Sequence, residues 1–138
     1  MLRNKVKVVI DTNWWVSFLI TKQKSQLTEV LYHSNIEIYS SEELKSEIFE
    51  TIKDPSLSKY INPSTLKEFI ECFPDAVLTI KIKSKVEICR DAKDNFLLAL
   101  SKDAKADFLI TGDKDLLILK KYGKTIILKL SDFIKLLT

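Results

Sequence analysis

The sequence predicts an α/β fold: one three-layer domain covering residues 1–138, with a central, mostly parallel sheet of about five strands and helices on both faces. Three observations favour it. Short apolar segments rich in Val and Ile alternate with longer amphipathic segments along the chain, as in repeated strand–helix units. The apolar segments are nearly continuous, which is typical of parallel strands buried on both faces. A length of 138 residues suits one ordinary domain with its own core.

The first half of the chain supplies the clearest elements. The stretch Val6–Asn13 reads VKVVIDTN and predicts a buried strand that delivers Asp11 at its carboxyl end. Two helical segments and a short strand should follow, at Trp14–Ile20, Gln26–His33 and Ile36–Tyr39.

The strongest helical pattern runs from Ser40 to Lys53. Apolar side chains recur every four residues at Leu44, Ile48 and Ile52, and Asp54-Pro55 should close the helix. Ser40 and Glu43 have the spacing of a capping box, in which the hydroxyl and the carboxylate each bind a backbone N–H at the helix start. That gives Glu43 a sufficient structural role.

The second half repeats the alternation and contains no linker. A helix is predicted at Pro63–Phe73, and Pro74 should end it. The remaining elements alternate between strand and helix, ending in a terminal helix that Ser131 caps: a strand at Ala76–Ile82, a helix at Asp91–Lys102, a strand at Asp107–Thr111, a short helix at Gly112–Lys121, a strand at Thr125–Leu128 and the terminal helix through Leu137.

Composition excludes several classes of function. Cys72, Cys89 and His33 stand apart without metal-ligand spacing, so zinc binding and thiol catalysis are not expected. No apolar stretch approaches the ~20 residues of a membrane span, and the N-terminal residues show no signal-peptide pattern, so we expect a cytoplasmic protein. The net charge of +3 comes almost entirely from lysine, which permits contact with nucleic acid without demonstrating it.

Carboxylates cluster where the predicted strands end. Asp11 follows the first strand, Asp113 and Asp115 follow the fourth, and Asp91 and Asp94 open the helix between them. Because the carboxyl ends of parallel strands share one edge of the sheet, these acids should converge there. Asp91 serves equally well as a helix cap, and Asp94 could simply favour the positive helix end.

Helical geometry selects two acids that should face inward. Glu47 lies nearer the Leu44, Ile48, Ile52 stripe than the other glutamates of its helix, and Asp94 shares a face with the leucines three and four positions later. Clustered carboxylates repel one another unless a cation lies among them. Hard oxygen ligands favour Mg²⁺ or Mn²⁺, and such a site supports hydrolysis of a phosphodiester.

The motifs IDTN, SEELKSEI, RDAKDNFLLALS and LITGDKDLL, in this order across nearly the whole chain, resemble the PIN-domain ribonuclease family, in its branch of toxins from toxin–antitoxin pairs. The resemblance implies Mg²⁺- or Mn²⁺-dependent cleavage of RNA by a homodimer that a small antitoxin protein neutralises. It implies a catalytic, metal-binding cluster with supporting polar residues and auxiliary acids: Asp11, Glu47, Asp94 and Asp113 in the cluster, Thr12, Asn13 and Thr111 as support, and Asp91 and Asp115 as auxiliary acids.

The tryptophan pair and one lysine cluster could each contact RNA or have only a structural role. Trp14 and Trp15 stand where smaller aliphatic residues are expected; one could stack on a base, although core packing is the favoured role for at least one. Lys81, Lys83 and Lys85 would share one face of a strand and could follow a phosphate backbone, or they could guard a solvated edge strand.

Other functions remain open at this point. A receiver-like or phosphatase-like domain would also place an Asp after the first strand, but VLTIKIKS lacks the acid a receiver needs, and Asn13 stands where an aspartyl phosphatase needs Asp. A module that binds RNA or protein without cutting, and a housekeeping RNA-processing nuclease, are not excluded by any residue.

Overall fold

The computed structural model describes residues 5–21, 30–31 and 33–137. The α/β fold with a mostly parallel sheet is confirmed, and the sheet has six strands rather than about five. We number elements along the described chain: β1 (Val6–Ile10), α1 (Thr12–Thr21), β2 (Ile36–Ser40), α2 (Glu42–Ile52), α3 (Pro55–Ser58), α4 (Pro63–Ala76), β3 (Leu78–Thr79), α5 (Ala92–Ala104), β4 (Phe108–Ile110), α6 (Lys114–Leu117), β5 (Lys121–Tyr122), β6 (Thr125–Leu128) and α7 (Leu130–Leu137). The segment predicted as a helix at Gln26–His33 falls largely outside the described residues.

The strand order is β3-β2-β1-β4-β6-β5, and every pairing is parallel except β5 with β6. Val8, Val9 and Ile10 are all fully buried. Because successive side chains of a strand point to opposite faces, both faces of β1 are covered. The chain runs outward from β1 through β2 to β3 and then returns to the other side of β1 as β4. The crevice between β1 and β4 is therefore the topological switch point of the sheet, where ligands of open α/β folds bind.

Helix α2 begins one residue later than the capping box requires. Ser41, not Ser40, is the N-cap, and its hydroxyl accepts a hydrogen bond of 3.1 Å from the backbone N–H of Leu44. Ser40 remains the last residue of β2 because its carbonyl accepts from the N–H of Ile80. The predicted capping box is therefore wrong, while Leu44 and Ile48 are buried as expected.

Helix α4 continues through Pro74 to Ala76, so the prediction that Pro74 ends the helix was wrong. A proline in the last turn removes one intrahelical hydrogen bond, and aromatic packing offsets that loss. Phe69 and Phe73 lie 5.2 Å apart by ring centroid, and both contact the indole of Trp15.

The strand predicted at Ala76–Ile82 is reduced to Leu78–Thr79 because the chain then leaves the sheet. The backbone N–H groups of Lys83 and Ser84 donate to the carboxylate of Asp103 on α5 instead of to a neighbouring strand. The N–H of Ile80 still donates to the Ser40 carbonyl of β2, and the Asp103 contact holds the backbone just beyond the predicted strand.

The C-terminal elements also differ in their bounds. Helix α6 is a single turn, and β5 follows it where the longer helix was predicted. Lys120 and Gly123 have positive φ angles of 61° and 59°, in the left-handed region, and these turn the chain into a hairpin. Helix α7 already begins at Leu130, so Ser131 lies inside its first turn and is not its cap. Within the described residues, no helix has the length and apolar character to cross a membrane.

Candidate metal centre

The ends of β1 and β4 place polar side chains at the switch point. The Asp11 N–H donates to the carbonyl of Ile110 at 2.9 Å, which fixes the residue just beyond β1 against the end of β4. The Thr111 hydroxyl donates to Asp11 Oδ2 at 2.7 Å and accepts from the Asp113 N–H at 3.1 Å. One buried threonine therefore joins the acids that follow the two central strands.

A cavity of about 280 Å³ opens above this edge, and we call it the acidic pocket. It collects all four residues predicted as the metal-binding cluster, together with Thr12, Asn13 and Asp91. Its lining consists of Asp11, Thr12, Asn13, Glu47, Thr51, Asp91, Lys93, Asp94, Leu97 and Asp113.

Within this region, three carboxylates approach one another most closely. Asp94, Asp113 and Asp115 each offer an oxygen atom, and these atoms lie within 4.8 Å of one another. Asp94 projects from the first turn of α5, and Asp113 caps the short α6 by accepting from the Asp115 N–H at 2.8 Å. This triad includes Asp115, which the sequence suggested only as an auxiliary acid. Asp11 and Glu47 are not part of the triad, but they line the acidic pocket.

Asp94 carries the strongest electrostatic strain. It is 3% exposed, and its Oδ2 has no hydrogen-bond partner among the described residues. Burial raises the pKa of Asp94 to about 6, and the negative charges of Asp113, Asp91 and Asp11 act in the same direction. Ionised Asp94 therefore destabilises the folded protein, and a cation beside the carboxylate would offset that cost.

Asp11 is also buried, and burial raises its pKa above the ordinary value. The hydrogen bond from Thr111 lowers the pKa and the charges of Glu47 and Asp113 raise it, so that the net shift is upward. Asp11 differs from Asp94 in having a neutral donor that orients its carboxylate.

Glu47 faces the pocket from α2, as the helical geometry predicts. The hydroxyl of Thr12, at the start of α1, donates to its Oε1, and Lys93 Nζ lies 4.0 Å from its Oε2. Thr12 thus orients Glu47 in the way that Thr111 orients Asp11. Asp91 is the N-cap of α5, where it accepts a hydrogen bond from the Lys93 N–H at 2.9 Å. It therefore caps the helix and also lines the acidic pocket.

The sequence reasoning missed two basic residues at this site. Arg90 Nη2 lies 3.1 Å from Asp115 Oδ2, and Lys93 forms the ion pair with Glu47. The available signal was the segment RDAKD, where bases alternate with the acids that open α5. Lys93 lines the acidic pocket, and Arg90 brings a second positive charge to the triad through Asp115.

The two tryptophans have different environments. Trp15 is a core residue: its indole N–H donates to the carbonyl of Ile10 at 3.2 Å, and its ring packs on the α4 phenylalanines. Trp14 is half-buried, and its Cζ2 lies 4.0 Å from where a Cβ on Gly112 would stand. Its indole nitrogen is buried without a hydrogen-bond partner among the described residues.

Lys81, Lys83 and Lys85 are exposed, but they do not lie on a strand. Residues 80–88 form neither helix nor strand, so the prediction that these lysines share one face of a strand was wrong. Their charge remains available to solvent along an irregular segment.

A divalent cation fits the donor set at this edge. The candidate ligands are carboxylate oxygens, which suit the hard ions Mg²⁺ and Mn²⁺. The buried Asp94 oxygen without a partner and the raised pKa of its carboxyl are what a site built for a cation shows in its absence. Asp94, Asp113 and Asp115 would hold the ion, within reach of the pocket that Asp11 and Glu47 line.

Comparison with known proteins adds independent information. A family model described as PIN domain matches residues 7–115, a range that includes every acid named above. A protein of Methanocaldococcus jannaschii, named only as the uncharacterized protein MJ1680, is 32% identical over 127 residues. The alignment covers 90% of this chain and 81% of that protein.

Proposed function

The chain belongs to the PIN domain family, whose members are typically nucleases that use divalent metal ions, and on this premise we propose that it is an Mg²⁺- or Mn²⁺-dependent endoribonuclease that hydrolyses RNA phosphodiester bonds. One observation carries the proposal: Asp94, Asp113 and Asp115 gather oxygen atoms within 4.8 Å of one another at the switch point, and the buried Oδ2 of Asp94 has no hydrogen-bond partner in the part of the chain that the structure describes.

In this proposal the metal ion and the side chains around the pocket have different roles. A bound Mg²⁺ or Mn²⁺ supplies a Lewis acid that polarises phosphate oxygens and lowers the pKa of water. Thr111 and Thr12 hold Asp11 and Glu47 in fixed orientations toward the pocket. Asn13, exposed at the start of α1, is available to an incoming RNA strand, and Trp14 offers an aromatic surface beside the same edge.

A cleavage assay tests this function. Labelled single-stranded and hairpin RNAs are incubated with the wild type, Asp11→Asn and Asp132→Asn, all purified in the same way. The wild type and Asp132→Asn, which changes an exposed acid on α7, should cleave in Mg²⁺ or Mn²⁺, lose activity in EDTA and regain it with excess Mn²⁺. Asp11→Asn should lose activity by about 100-fold, on the scale at which even supporting residues of metal sites act.

Three results would contradict the proposal in different ways. Full cleavage in EDTA would overturn the metal requirement. Equal activity of Asp11→Asn and the wild type would indicate a contaminating nuclease or a different site. RNA binding without cleavage across Mg²⁺ and Mn²⁺ titrations would favour the alternative of a non-cleaving binding module.

We further propose that the nuclease is the toxin of a toxin–antitoxin pair, acting in the cytoplasm as a homodimer that a small antitoxin protein inhibits. The support is the sequence resemblance of IDTN, RDAKDNFLLALS and LITGDKDLL to the toxin branch. Induced expression of the wild type, but not of Asp11→Asn, should arrest growth, and light scattering should give a dimer mass. Harmless expression together with a gene that has no small neighbour would favour housekeeping RNA processing.

A further inference from the structure

An arginine lies against the carboxylate triad of the candidate metal centre, although the proposed metal site does not require its charge. Arg90 Nη2 lies 3.1 Å from Asp115 Oδ2 and 3.4 Å from Asp115 Oδ1, so one nitrogen contacts both carboxylate oxygens. Asp115 belongs to the triad whose oxygen atoms could share a cation. The guanidinium therefore binds a carboxylate that a metal ion would also bind.

The backbone beside Arg90 is fixed, although its side chain is 88% exposed. The side-chain amide of Asn95 on α5 accepts from the Cys89 N–H at 2.8 Å and donates to the Cys89 carbonyl at 3.0 Å. This two-point contact attaches residue 89 to the helix that carries Asp94. Arg90 consequently projects from a defined position next to the metal centre.

The ion pair itself contributes little to folding. Both partners are at least half exposed, and exposed ion pairs change an equilibrium constant by about fivefold at most. The pair can therefore be exchanged for another anion at small cost. Arginine suits such an exchange because its planar fork matches phosphate oxygens in two parallel hydrogen bonds.

An RNA strand faces a charge problem at this pocket. Its phosphates must approach carboxylates from Asp11, Glu47, Asp94, Asp113 and Asp115, and one divalent ion does not cancel that negative charge. Lys93 pairs with Glu47, which lies outside the triad, whereas the partner of Arg90 is the triad acid Asp115. Arg90 would therefore be released when Asp115 turns to a metal ion.

We propose that Arg90 is a substrate-binding residue of this site: it pairs with Asp115 in the metal-free protein, and it binds a non-bridging phosphate oxygen of RNA once a divalent cation takes Asp115. The inference rests on the proposed ribonuclease function and adds to it the residue that couples metal loading to RNA binding. It makes two predictions of opposite sign, because removing Arg90 frees a metal ligand and deletes a phosphate contact.

The test measures metal binding and RNA binding separately in the full-length chain. For Arg90→Ala, calorimetric titration of RNA-free protein should give two- to fivefold tighter binding of Mn²⁺, because Asp115 no longer has a competing partner. Binding of a single-stranded RNA in Ca²⁺, with RNA integrity checked on a gel, should weaken about tenfold. The slope of log K against log salt should fall by about 0.7, the value for one lost phosphate contact to a single strand.

Two further variants make the result specific. Arg90→Lys keeps the charge but not the fork, so it should recover most of the salt slope and part of the affinity. Lys53→Ala removes another exposed base, which pairs with Glu50 on α2, and should leave both titrations unchanged. Thermal unfolding of Arg90→Ala should match the wild type closely, since only an exposed pair is lost.

The outcomes separate the inference from the function it rests on. If Arg90→Ala weakens Mn²⁺ binding as well as RNA binding, Arg90 only supports the local structure and the inference is wrong. If the wild type cleaves RNA and Arg90→Ala retains its RNA affinity and salt slope, the inference fails while the ribonuclease function stands. If the wild type neither binds nor cleaves RNA, both are overturned.

Discussion

Neutralising Asp94 should stabilise the metal-free protein. The pKa of this buried carboxyl is raised from 3.8 to about 6, a shift of about two units, and each unit corresponds to about 1.4 kcal/mol. Ionised Asp94 therefore costs up to about 3 kcal/mol at pH 7.5. In a domain of this size each kcal/mol shifts the unfolding midpoint by about 3 to 5 °C, so Asp94→Asn in EDTA should unfold up to about 15 °C higher than the wild type.

The pH dependence of this gain has a definite sign. The folded state binds the Asp94 proton more tightly than the unfolded state, so the wild type loses relative stability as pH rises from about 4 through 6. The gap between Asp94→Asn and the wild type should be widest at pH 7.5 and should close below about pH 4. Added Mn²⁺ should reverse the order, because it stabilises the wild type by mass action and finds a weakened site in the variant.

A matched variant isolates the burial effect. Asp132 occupies the same third helical position in α7 that Asp94 occupies in α5, but it is exposed. Asp132→Asn should lose only the favourable interaction with the helix dipole, about 0.3–1 kcal/mol, and so should be slightly less stable at pH 7.5. The assay is thermal unfolding followed by circular dichroism in EDTA. A less stable Asp94→Asn at pH 7.5, or a gap equally wide at pH 4, would refute the reasoning.

Three further substitutions test the candidate site, the core and the β5–β6 hairpin. The Thr111 hydroxyl donates to Asp11 and lowers the pKa of that carboxyl. Thr111→Val should therefore raise the Asp11 pKa further and weaken Mn²⁺ binding by about tenfold, which calorimetry at pH 6 and pH 8 measures. Trp15→Phe removes the indole hydrogen bond to Ile10 and should lower the free energy of unfolding by about 1–3 kcal/mol in urea titrations, without changing Mn²⁺ affinity. Gly123→Ala meets no atom within 4 Å but places a Cβ at a φ of +59°, so it should cost about 1 kcal/mol in the same titrations.

The parts of the fold that sequence reasoning identified are those where burial is complete. Val8, Val9 and Ile10 lie inside on both faces of β1, and an uninterrupted β-branched run has few other interpretations. The position of Asp11 follows from the same run, because the residue after a buried parallel strand must emerge at the carboxyl edge. The stripe of α2 likewise fixes which side of that helix faces the core and hence directs Glu47 toward the pocket.

Segments that depend on one side-chain contact could not be identified in this way. The composition through Ile82 favours a strand, but the N–H groups that follow, of Lys83 and Ser84, donate to the carboxylate of Asp103 on α5. The antiparallel β5 depends on a left-handed backbone at Lys120, a conformation that the residue type does not indicate. One case depends on a distant side chain and the other on a backbone conformation, and the local residue types indicate neither.

The closest grouping of acids shows the same limit at the candidate site. Family resemblance ranks Asp11, Glu47, Asp94 and Asp113 above Asp115, yet Asp115 is the residue whose carboxylate meets those of Asp94 and Asp113. The reason is local: the cap of α6 joins Asp113 to the N–H of Asp115 and holds them side by side. Asp11 and Glu47 are instead drawn toward the hydroxyls of Thr111 and Thr12. Each hydroxyl occupies one carboxylate oxygen, Asp11 Oδ2 or Glu47 Oε1, and leaves the second oxygen for other contacts. The threonines therefore hold Asp11 and Glu47 apart from the triad while still orienting both carboxylates at the pocket.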